Sequence, residues 1–215
     1  MPRLLFAMLA AAAFLAAPVA FAQTLSRAEA LQALEQSNAA QRRLAARSLS
    51  AEGRMADVPA LLSLLSDGDE EVRTLAEQSI WAIWGRSGDE RVDRLYAEGV
   101  NQMQSGLAAE AIATFSRIIE LKPEFAEGWN KRATVYFLMG EYQKSLADCD
   151  EVLKRNPTHF GVLSGYGQIY LQLNEPERAL SYFERALAVN PNMEQVERVI
   201  EELKGQLMQQ KKDTT

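Results

Sequence analysis

The side chains that most often carry catalysis or bind metals are scarce in this chain. His159 is the only histidine and Cys149 the only cysteine, so the pair cannot form the usual four-ligand zinc site. No serine or cysteine nucleophile can be argued to have a base beside it, and no glycine-rich phosphate loop is present. The run from Asp67 to Glu70 lacks the spaced ligands of a calcium loop and is interpreted as a capped helix start. The sequence therefore predicts a protein that is not an enzyme and has no cofactor or metal.

Cys149 and His159 are both predicted to have structural and not catalytic roles. Cys149 stands where the segments 34 residues away on either side hold Phe115 and Phe183, which predicts a buried thiol. A functional thiol that forms intermolecular bridges is the alternative. His159 falls in the turn between two repeated segments and is predicted to be a half-exposed loop residue.

A repeat of 34 residues organises the C-terminal half of the chain. Pro123, Pro157 and Pro191 are spaced by this interval. Two sets of small residues keep the same phase, namely Gly99, Ala133 and Gly167, and Ala111, Ser145 and Ala179. A strict period of this length predicts stacked helix pairs that bury their apolar faces against one another. Gly106 and Gly140 suit the turn inside a pair.

The segment AEGWNKRATVYFLMGEYQKSLADCDEVLKRNPTH, residues 126–159, resembles the tetratricopeptide repeat family. The matching residues are Trp129, Ala133, Tyr136, Gly140, Tyr142, Leu146 and Pro157. Residues 92–125 and 160–193 are similar to it, with Gln102 and Pro176 in place of the usual aromatic residues. We therefore assign residues 89–193 to three tetratricopeptide units. Glu98 and Arg132, which are equivalent in adjacent units, are predicted to form a structural ion pair.

A weaker repeat of 31 residues precedes these units, in which Arg42 matches Arg73. Residues 56–80 resemble a short bacterial HEAT-type repeat, and residues 27–57 resemble a degenerate copy. We therefore predict a HEAT-like segment over residues 23–88. Trp81 and Trp84 are predicted to be core or junction residues that seal the join to the first tetratricopeptide unit.

The predicted fold is an all-α, right-handed α-solenoid of helical hairpins. HEAT-like hairpins come first, three tetratricopeptide units follow, and residues 194–215 form a capping helix with a frayed tail from Lys211. The apolar stripe of the capping helix is Val196, Val199, Ile200, Leu203 and Leu207. A polar-backed end helix of this kind is what solenoids need for solubility.

Residues 1–22 have the basic start, apolar run and small-residue ending of a secretory signal peptide. Cleavage after Ala22 and a periplasmic location are predicted, and an uncleaved N-terminal anchor is the alternative. No second apolar run is long enough to span a bilayer, so no membrane insertion is expected after cleavage. The formal net charge of −6 disfavours nucleic acid as a partner, because nucleic acids bind clustered Lys and Arg.

The family resemblance implies that the first helix of each hairpin lines a concave groove that binds proteins. The implied partner-binding residues are Tyr96, Val100, Met103, Glu127, Asn130, Lys131, Thr134, Phe137, Ser164, Gln168 and Leu171. Lys131 is the only plausible cation, which argues against a clamp on a peptide's terminal carboxylate. We predict a non-catalytic adaptor of the cell envelope that binds a peptide or protein. The sequence determines neither the identity of this partner nor the oligomeric state of the adaptor. A structural, self-assembling envelope component is the alternative.

Overall fold

The computed structural model describes residues 24–213, and every regular element in this range is helical. The α-helices are α1 (Arg27–Ala33), α2 (Ala39–Glu52), α3 (Val58–Ser63), α4 (Glu70–Trp84), α5 (Glu90–Gln104), α6 (Ala108–Leu121), α7 (Ala126–Leu138), α8 (Tyr142–Arg155), α9 (Phe160–Gln172), α10 (Pro176–Val189) and α11 (Glu194–Asp213). Short 3-10 turns, Met55–Asp57 and Leu64–Ser66, flank α3. The predicted all-α fold of helical hairpins is confirmed.

Each of the three C-terminal hairpins turns through a residue in the left-handed conformation. Gly106 and Gly140 have φ angles of 75° and 76°, and Asn174, with a φ of 57°, takes the same place in the third hairpin. In the second hairpin, the residue after Gly140 donates its N–H to the Tyr136 carbonyl at 2.9 Å. This bond closes a helix end only when the turning residue is left-handed, which glycine and asparagine tolerate best. The turns predicted at Gly106 and Gly140 are confirmed.

Small residues let the two helices of a hairpin touch. A Cβ atom on Gly167 would lie 2.5 Å from the Phe183 ring, and Gly99 meets a phenyl ring in the same way in the first hairpin. In the second hairpin, Ala133 is 3% exposed, and its carbonyl accepts a 2.8 Å hydrogen bond from the Ser145 hydroxyl. The close approach predicted from the phase of these residues is therefore present.

Arg132 forms its ion pair inside its own hairpin. Its guanidinium donates two hydrogen bonds of 2.8 Å to the Asp148 carboxylate and one of 2.9 Å to Ser116. The predicted pair with Glu98 is wrong, since Glu98 accepts a hydrogen bond from Gln102 on its own helix. Arg132 pairs with Asp148 because a bidentate hydrogen bond to a nearly buried carboxylate is stronger than a contact with an exposed one such as that of Glu98.

The 31-residue repeat folds as two hairpins, α1–α2 and α3–α4, with equivalent arginines in equivalent places. Arg42 pairs with the Asp67 carboxylate, which lies in the next unit, with contacts of 2.7 and 2.8 Å. Arg73 donates at 2.8 Å to the Asp67 carbonyl and at 3.0 Å to Oδ1 of Asn192. Arg42 thus binds the N-terminal unit that follows it, whereas the equivalent Arg73 binds the turn between α10 and α11.

Helix α4 lies along the turns that connect successive hairpins of the C-terminal half. Trp84, 3% exposed, stacks on the His159 ring with centroids 4.3 Å apart, and Trp81 meets the Phe160 ring edge-on at 5.2 Å. The prediction that these tryptophans are core or junction residues is confirmed, but their ring partners lie where the second 34-residue unit joins the third and not at the first unit. The N-terminal hairpins therefore lie beside the C-terminal hairpins, and the turn at His159 and Phe160 packs on the two indole rings.

Helix α11 packs its apolar stripe on α10, with Val196, Ile200 and Leu203 buried. It continues to Asp213, past the predicted end at about Gln210. Within residues 24–213 no helix combines the length and the apolarity that crossing a bilayer would require. The predicted signal peptide, residues 1–22, lies outside the described residues.

Candidate functional site

Helices α7, α9 and α11, each the first helix of its hairpin or the end helix, lie side by side and enclose two adjoining pockets. The α7–α9 pocket has a volume of about 150 Å³ and is lined by Asn130, Ala133, Thr134, Phe137, Ser145, Cys149, Gly161, Val162, Gly165, Gln168 and Ile169. The α9–α11 pocket, of about 480 Å³, is lined by Glu77, Ser164, Gln168, Leu171, Phe183, Asn192, Met193, Glu194, Gln195, Val196 and Val199. Gln168 lines both pockets, so the two pockets adjoin at this residue, and together they are called the groove.

The α7–α9 pocket is uncharged. Asn130, Thr134 and Gln168 offer amide and hydroxyl groups, and Phe137 adds an aromatic wall. Such a mixture can hydrogen-bond a peptide backbone while it contacts apolar side chains. Gly165 lines this pocket, and a Cβ atom at this position would meet no atom within 4 Å. A larger side chain at position 165 would therefore extend into open space and narrow the pocket.

Cys149 forms part of the floor of the α7–α9 pocket. Its side chain is 4% exposed, and burial raises the pKa of the thiol to about 12. The thiol therefore stays protonated at neutral pH and packs as a small apolar group. The predicted burial of Cys149 is confirmed.

The α9–α11 pocket is apolar at its base and acidic at its edge. Leu171, Phe183 and Val196 supply apolar surface, whereas Glu77 and Glu194 carry carboxylates. Glu77 belongs to α4, so the N-terminal hairpins contribute one wall of the groove. Because this wall is already fixed, the protein loses less conformational entropy when a partner binds.

A third cavity of about 300 Å³, the α4–α11 pocket, adjoins the second. It is lined by Glu70, Arg73, Thr74, Glu77, Pro191, Asn192 and Glu194. Glu77, Asn192 and Glu194 line both cavities. The groove thus passes from an uncharged part, through an apolar part, to a part with three carboxylates.

A buried polar cluster lies where α4 meets the start of α7 and α9. Glu127 is 2% exposed, and its carboxylate lies 2.6 Å from Nε2 of His159 and 2.9 Å from Nδ2 of Asn130. Tyr96 donates its hydroxyl hydrogen to the same carboxylate at 3.3 Å. His159 itself is fully buried, and its Nδ1 accepts the Val162 N–H at 3.2 Å. Because Nδ1 accepts, Nε2 carries the proton that is donated to Glu127.

The prediction that His159 is a half-exposed loop residue is wrong. His159 caps the N-terminus of α9 and stacks on Trp84. The 34-residue repeat contained the signal for burial, because the equivalent residues are Phe125 and Met193, both apolar. A polar side chain at an otherwise apolar position is buried only when its hydrogen bonds are satisfied, and Glu127 satisfies them.

Glu127 is held ionised within this cluster. Burial by itself opposes ionisation, but the hydrogen bond from His159, together with the charge of Lys131 at 3.9 Å, holds the pKa of Glu127 below its ordinary value. Burial raises the pKa of Tyr96, so its phenol remains a neutral donor. The cluster joins three helices and fixes their relative positions.

The structure brings only part of the predicted residue set to the groove. Asn130, Thr134, Phe137, Ser164, Gln168 and Leu171 line its pockets. Glu127, Tyr96 and Lys131 belong to the buried cluster beside it. Val100 and Met103 pack on the core of the first hairpin. None of these five residues lines the two pockets of the groove, and their part in binding a partner stays a prediction.

Sequence reasoning missed the part of the groove that α4 and α11 supply. Val196 and Val199 belong to an apolar stripe for which only a capping role was predicted, although its 34-residue register marks α11 as a further first helix. No sequence signal could have placed Glu77 there, since it lies outside the 34-residue repeat. In residues 24–213, no group of three His, Cys, Asp or Glu side chains is arranged to hold a metal ion.

Comparison with known proteins agrees with this geometry. The family model described as tetratricopeptide repeat matches residues 124–192. A TPR repeat-containing protein of Rhizobium etli is 35% identical over 126 residues, which cover 57% of this chain and 62% of that protein. The chain therefore spans less than two thirds of the length of this relative.

Solved structures agree on the fold. The first TPR domain of Spaghetti, bound to the HSP90 peptide SRMEEVD, is 21% identical with a TM-score of 0.53, covering 55% of this chain and 94% of that one. The Sgt2 TPR domain from Aspergillus fumigatus is 18% identical with a TM-score of 0.54, covering 58% of this chain and 83% of that one. The repeat period, the hairpins and these similarities agree: residues 124–192 match the tetratricopeptide repeat model, and the chain has the helical fold of tetratricopeptide repeat domains.

Proposed function

We propose that this protein is a non-catalytic adaptor that binds a peptide or protein segment in the groove of α7, α9 and α11. The observation that carries this proposal is that the α7–α9 and α9–α11 pockets adjoin at Gln168. Side chains with amide and hydroxyl groups alternate there with apolar ones, which suits an extended segment that needs both backbone bonds and apolar anchors. The peptide bound by the Spaghetti domain supports the same class of ligand.

Apolar anchors would supply most of the affinity. The α9–α11 pocket has room for a large side chain, and complete burial of a Leu or Phe side chain contributes about 1.5–3 kcal/mol. Association costs offset part of this gain, so two or more anchors are needed for stable binding. A groove with a fixed α4 wall lowers the ordering cost on the side of the protein.

The N-terminal half and the location complete the proposal. Helices α1–α4 are proposed to be two HEAT-like hairpins, whose register is supported by the matched bonds of Arg42 and Arg73.

Export to the periplasm, with cleavage after Ala22, is supported by the composition of residues 1–22. N-terminal sequencing of protein from fractionated cells tests the location. A mature chain that begins at Gln23 is expected, whereas an intact Met1 in the membrane fraction would indicate the anchored alternative.

Gly165→Leu tests the groove directly. The new side chain projects into the α7–α9 pocket and should block a ligand without disturbing α9, because Cβ at this position meets nothing within 4 Å. Gly205→Leu on α11 is a matched control, since its Cβ also projects into open space and the residue lines neither pocket. Partners crosslinked in cells and identified by mass spectrometry should be recovered with wild type and Gly205→Leu but lost with Gly165→Leu. Equal recovery with all three folded proteins would contradict the proposal.

Exposed apolar side chains favour one second candidate, self-assembly. Leu138 and Met139, at the end of α7, are 68% and 51% exposed. Light scattering over a range of concentrations distinguishes the two functions. A mass that rises with concentration and falls back in Leu138→Lys would favour assembly, and a constant monomer mass would argue against it.

A further inference from the structure

We infer that the groove selects a segment in which a large apolar residue adjoins a lysine or arginine, and that Glu77 and Glu194 recognise the basic side chain. This inference rests on the proposed function and adds the chemical class of the ligand. Its basis is the order of the three pockets along the groove.

The apolar and acidic parts of the groove share a boundary. Glu77, Asn192 and Glu194 line both the α9–α11 pocket and the α4–α11 pocket. A side chain that enters the apolar pocket therefore places its neighbour in the segment close to these carboxylates. In an extended segment, residues two apart point to the same side and lie about 7 Å from each other, so one segment can reach both pockets.

The carboxylates at this boundary outnumber the cations. The lining of the α4–α11 pocket contains Glu70, Glu77 and Glu194 but one guanidinium, that of Arg73. Arg73 already donates to Oδ1 of Asn192 at 3.0 Å and to a backbone carbonyl at 2.8 Å. It therefore holds the turn in place and leaves the acidic part of the groove with a negative charge.

Glu77 and Glu194 are only weakly engaged by other groups of the protein. Glu77 accepts a long 3.5 Å contact from the Trp81 indole, and Glu194 lies 3.9 Å from Arg198 on an exposed face. A ligand ammonium or guanidinium would give both carboxylates a stronger, charge-assisted hydrogen bond. Its apolar stem could lie along the adjoining apolar surface.

The same charges disfavour an acidic ligand. A carboxylate placed at this end of the groove would face like charges, which opposes binding. Neither the α7–α9 pocket nor the α9–α11 pocket is lined by a lysine or arginine, and Lys131, which follows Asn130 in α7, lies 3.9 Å from the buried Glu127 carboxylate.

A phage-displayed library of random dodecapeptides, selected on the full folded protein, tests the inference. Three further proteins are selected in parallel: Glu77→Gln/Glu194→Gln, the matched control Glu201→Gln/Glu202→Gln, and Gly165→Leu. The control changes two exposed carboxylates of α11 that line none of the three pockets. One enriched peptide is then synthesised with its basic residue as Lys, Gln or Glu, and its affinity is measured by fluorescence anisotropy.

Wild type and the control should enrich peptides with a large apolar residue within two positions of Lys or Arg. The Glu77→Gln/Glu194→Gln protein should keep the apolar preference and lose the basic one, with at least tenfold weaker binding of the Lys peptide. Enrichment of apolar peptides without a basic residue, of acidic peptides, or of basic peptides by the double variant would overturn the inference and leave the groove proposal standing. Absence of enrichment on wild type, or equal enrichment on Gly165→Leu, would overturn the proposed function as well.

Discussion

At the scale of single residues, the buried Glu127–His159 pair shows how one polar position can organise three helices. The pair joins α7 to the start of α9, Tyr96 ties it to α5, and Trp84 of α4 covers it. A buried pair of this kind adds little net stability, but loss of one partner is costly because the other is left without its hydrogen bond. Its value lies in specifying how the helices meet.

His159→Phe should therefore destabilise the protein by about 3 kcal/mol, the lower end of the cost of breaking a buried pair, because Glu127 keeps Asn130 and Tyr96. The phenyl ring fits a position that holds Phe125 in the preceding unit, so the change removes hydrogen bonds more than volume. Urea unfolding measures the loss.

The double variant His159→Phe/Glu127→Leu provides the control for this prediction. It removes both polar partners and should be more stable than the sum of the two single changes predicts. Strict additivity of the two single effects would show that the pair is not coupled.

A second prediction at this scale concerns acid. The hydrogen bond from Arg43, together with the Val72 N–H, lowers the pKa of Asp69 to about 2 from an ordinary value of 3.8. Because folding lowers this pKa, Asp69 stabilises the fold above pH 3.8, and its contribution is lost as the pH falls towards 2.

Asp69→Asn keeps a good helix cap and removes the ion pair. Its melting temperature, followed by circular dichroism, should lie below that of wild type at neutral pH. The difference should close as the pH falls through the interval between 3.8 and about 2. A difference that stays constant or widens in acid would show that the Asp69 charge does not contribute.

At the scale of elements, the helices of each hairpin approach closely because one of them carries a small residue at the contact. Ala133 in α7 is 3% exposed and bonded through its carbonyl to Ser145 in α8, and Gly167 in α9 faces Phe183 in α10. The interiors of proteins are close-packed, so added volume must displace a helix or strain a side chain. These contacts set how closely the two helices of a hairpin lie.

Ala133→Leu should destabilise the middle hairpin by about 1–3 kcal/mol through overpacking. Ala147→Leu in α8 is the control, because the residue is exposed and a surface change of this type stays within about 0.5 kcal/mol. Thermal and urea unfolding of both variants provide the comparison. Equal stability of the two would mean that Ala133 is not at a tight helix contact.

At the scale of the whole molecule, α4 makes the N-terminal hairpins part of the groove. Trp81 packs on the Phe160 ring, and a Cβ atom on Gly161 would lie 2.5 Å from the Trp81 indole. Further along the same helix, Arg73 reaches Asn192. The two halves are thus docked through aromatic and polar contacts, and the position of Glu77 depends on that docking.

Trp81→Ala should loosen this docking, because removal of a large, partly buried ring leaves a cavity between the two halves. Hydrogen exchange should then become faster over residues 70–84 and at the start of α9, and stay unchanged over α5 and α6. Gln78→Ala, an exposed change on the same helix, is the control. Exchange that is unchanged everywhere, or faster everywhere, would contradict a local docking role.

The sequence by itself determined the repeated architecture. The 34-residue period located the hairpins, the small residues identified their tight contacts, and Gly106 and Gly140 marked the turns. These features were predictable because each depends on contacts between neighbouring helices, and a repeated contact leaves a repeated residue. The polar groove residues from Asn130 to Gln168 were implied by the family resemblance.

Only the tertiary structure decided how the two halves meet. The Arg73–Asn192 bond joins residues 119 positions apart, and it occurs once, so no period records it. The stacking of Trp84 on His159 and the entry of Glu77 into the groove follow from that docking. A contact between two different kinds of repeat depends on the shapes and polar groups of both surfaces, and these exist only after each half has folded.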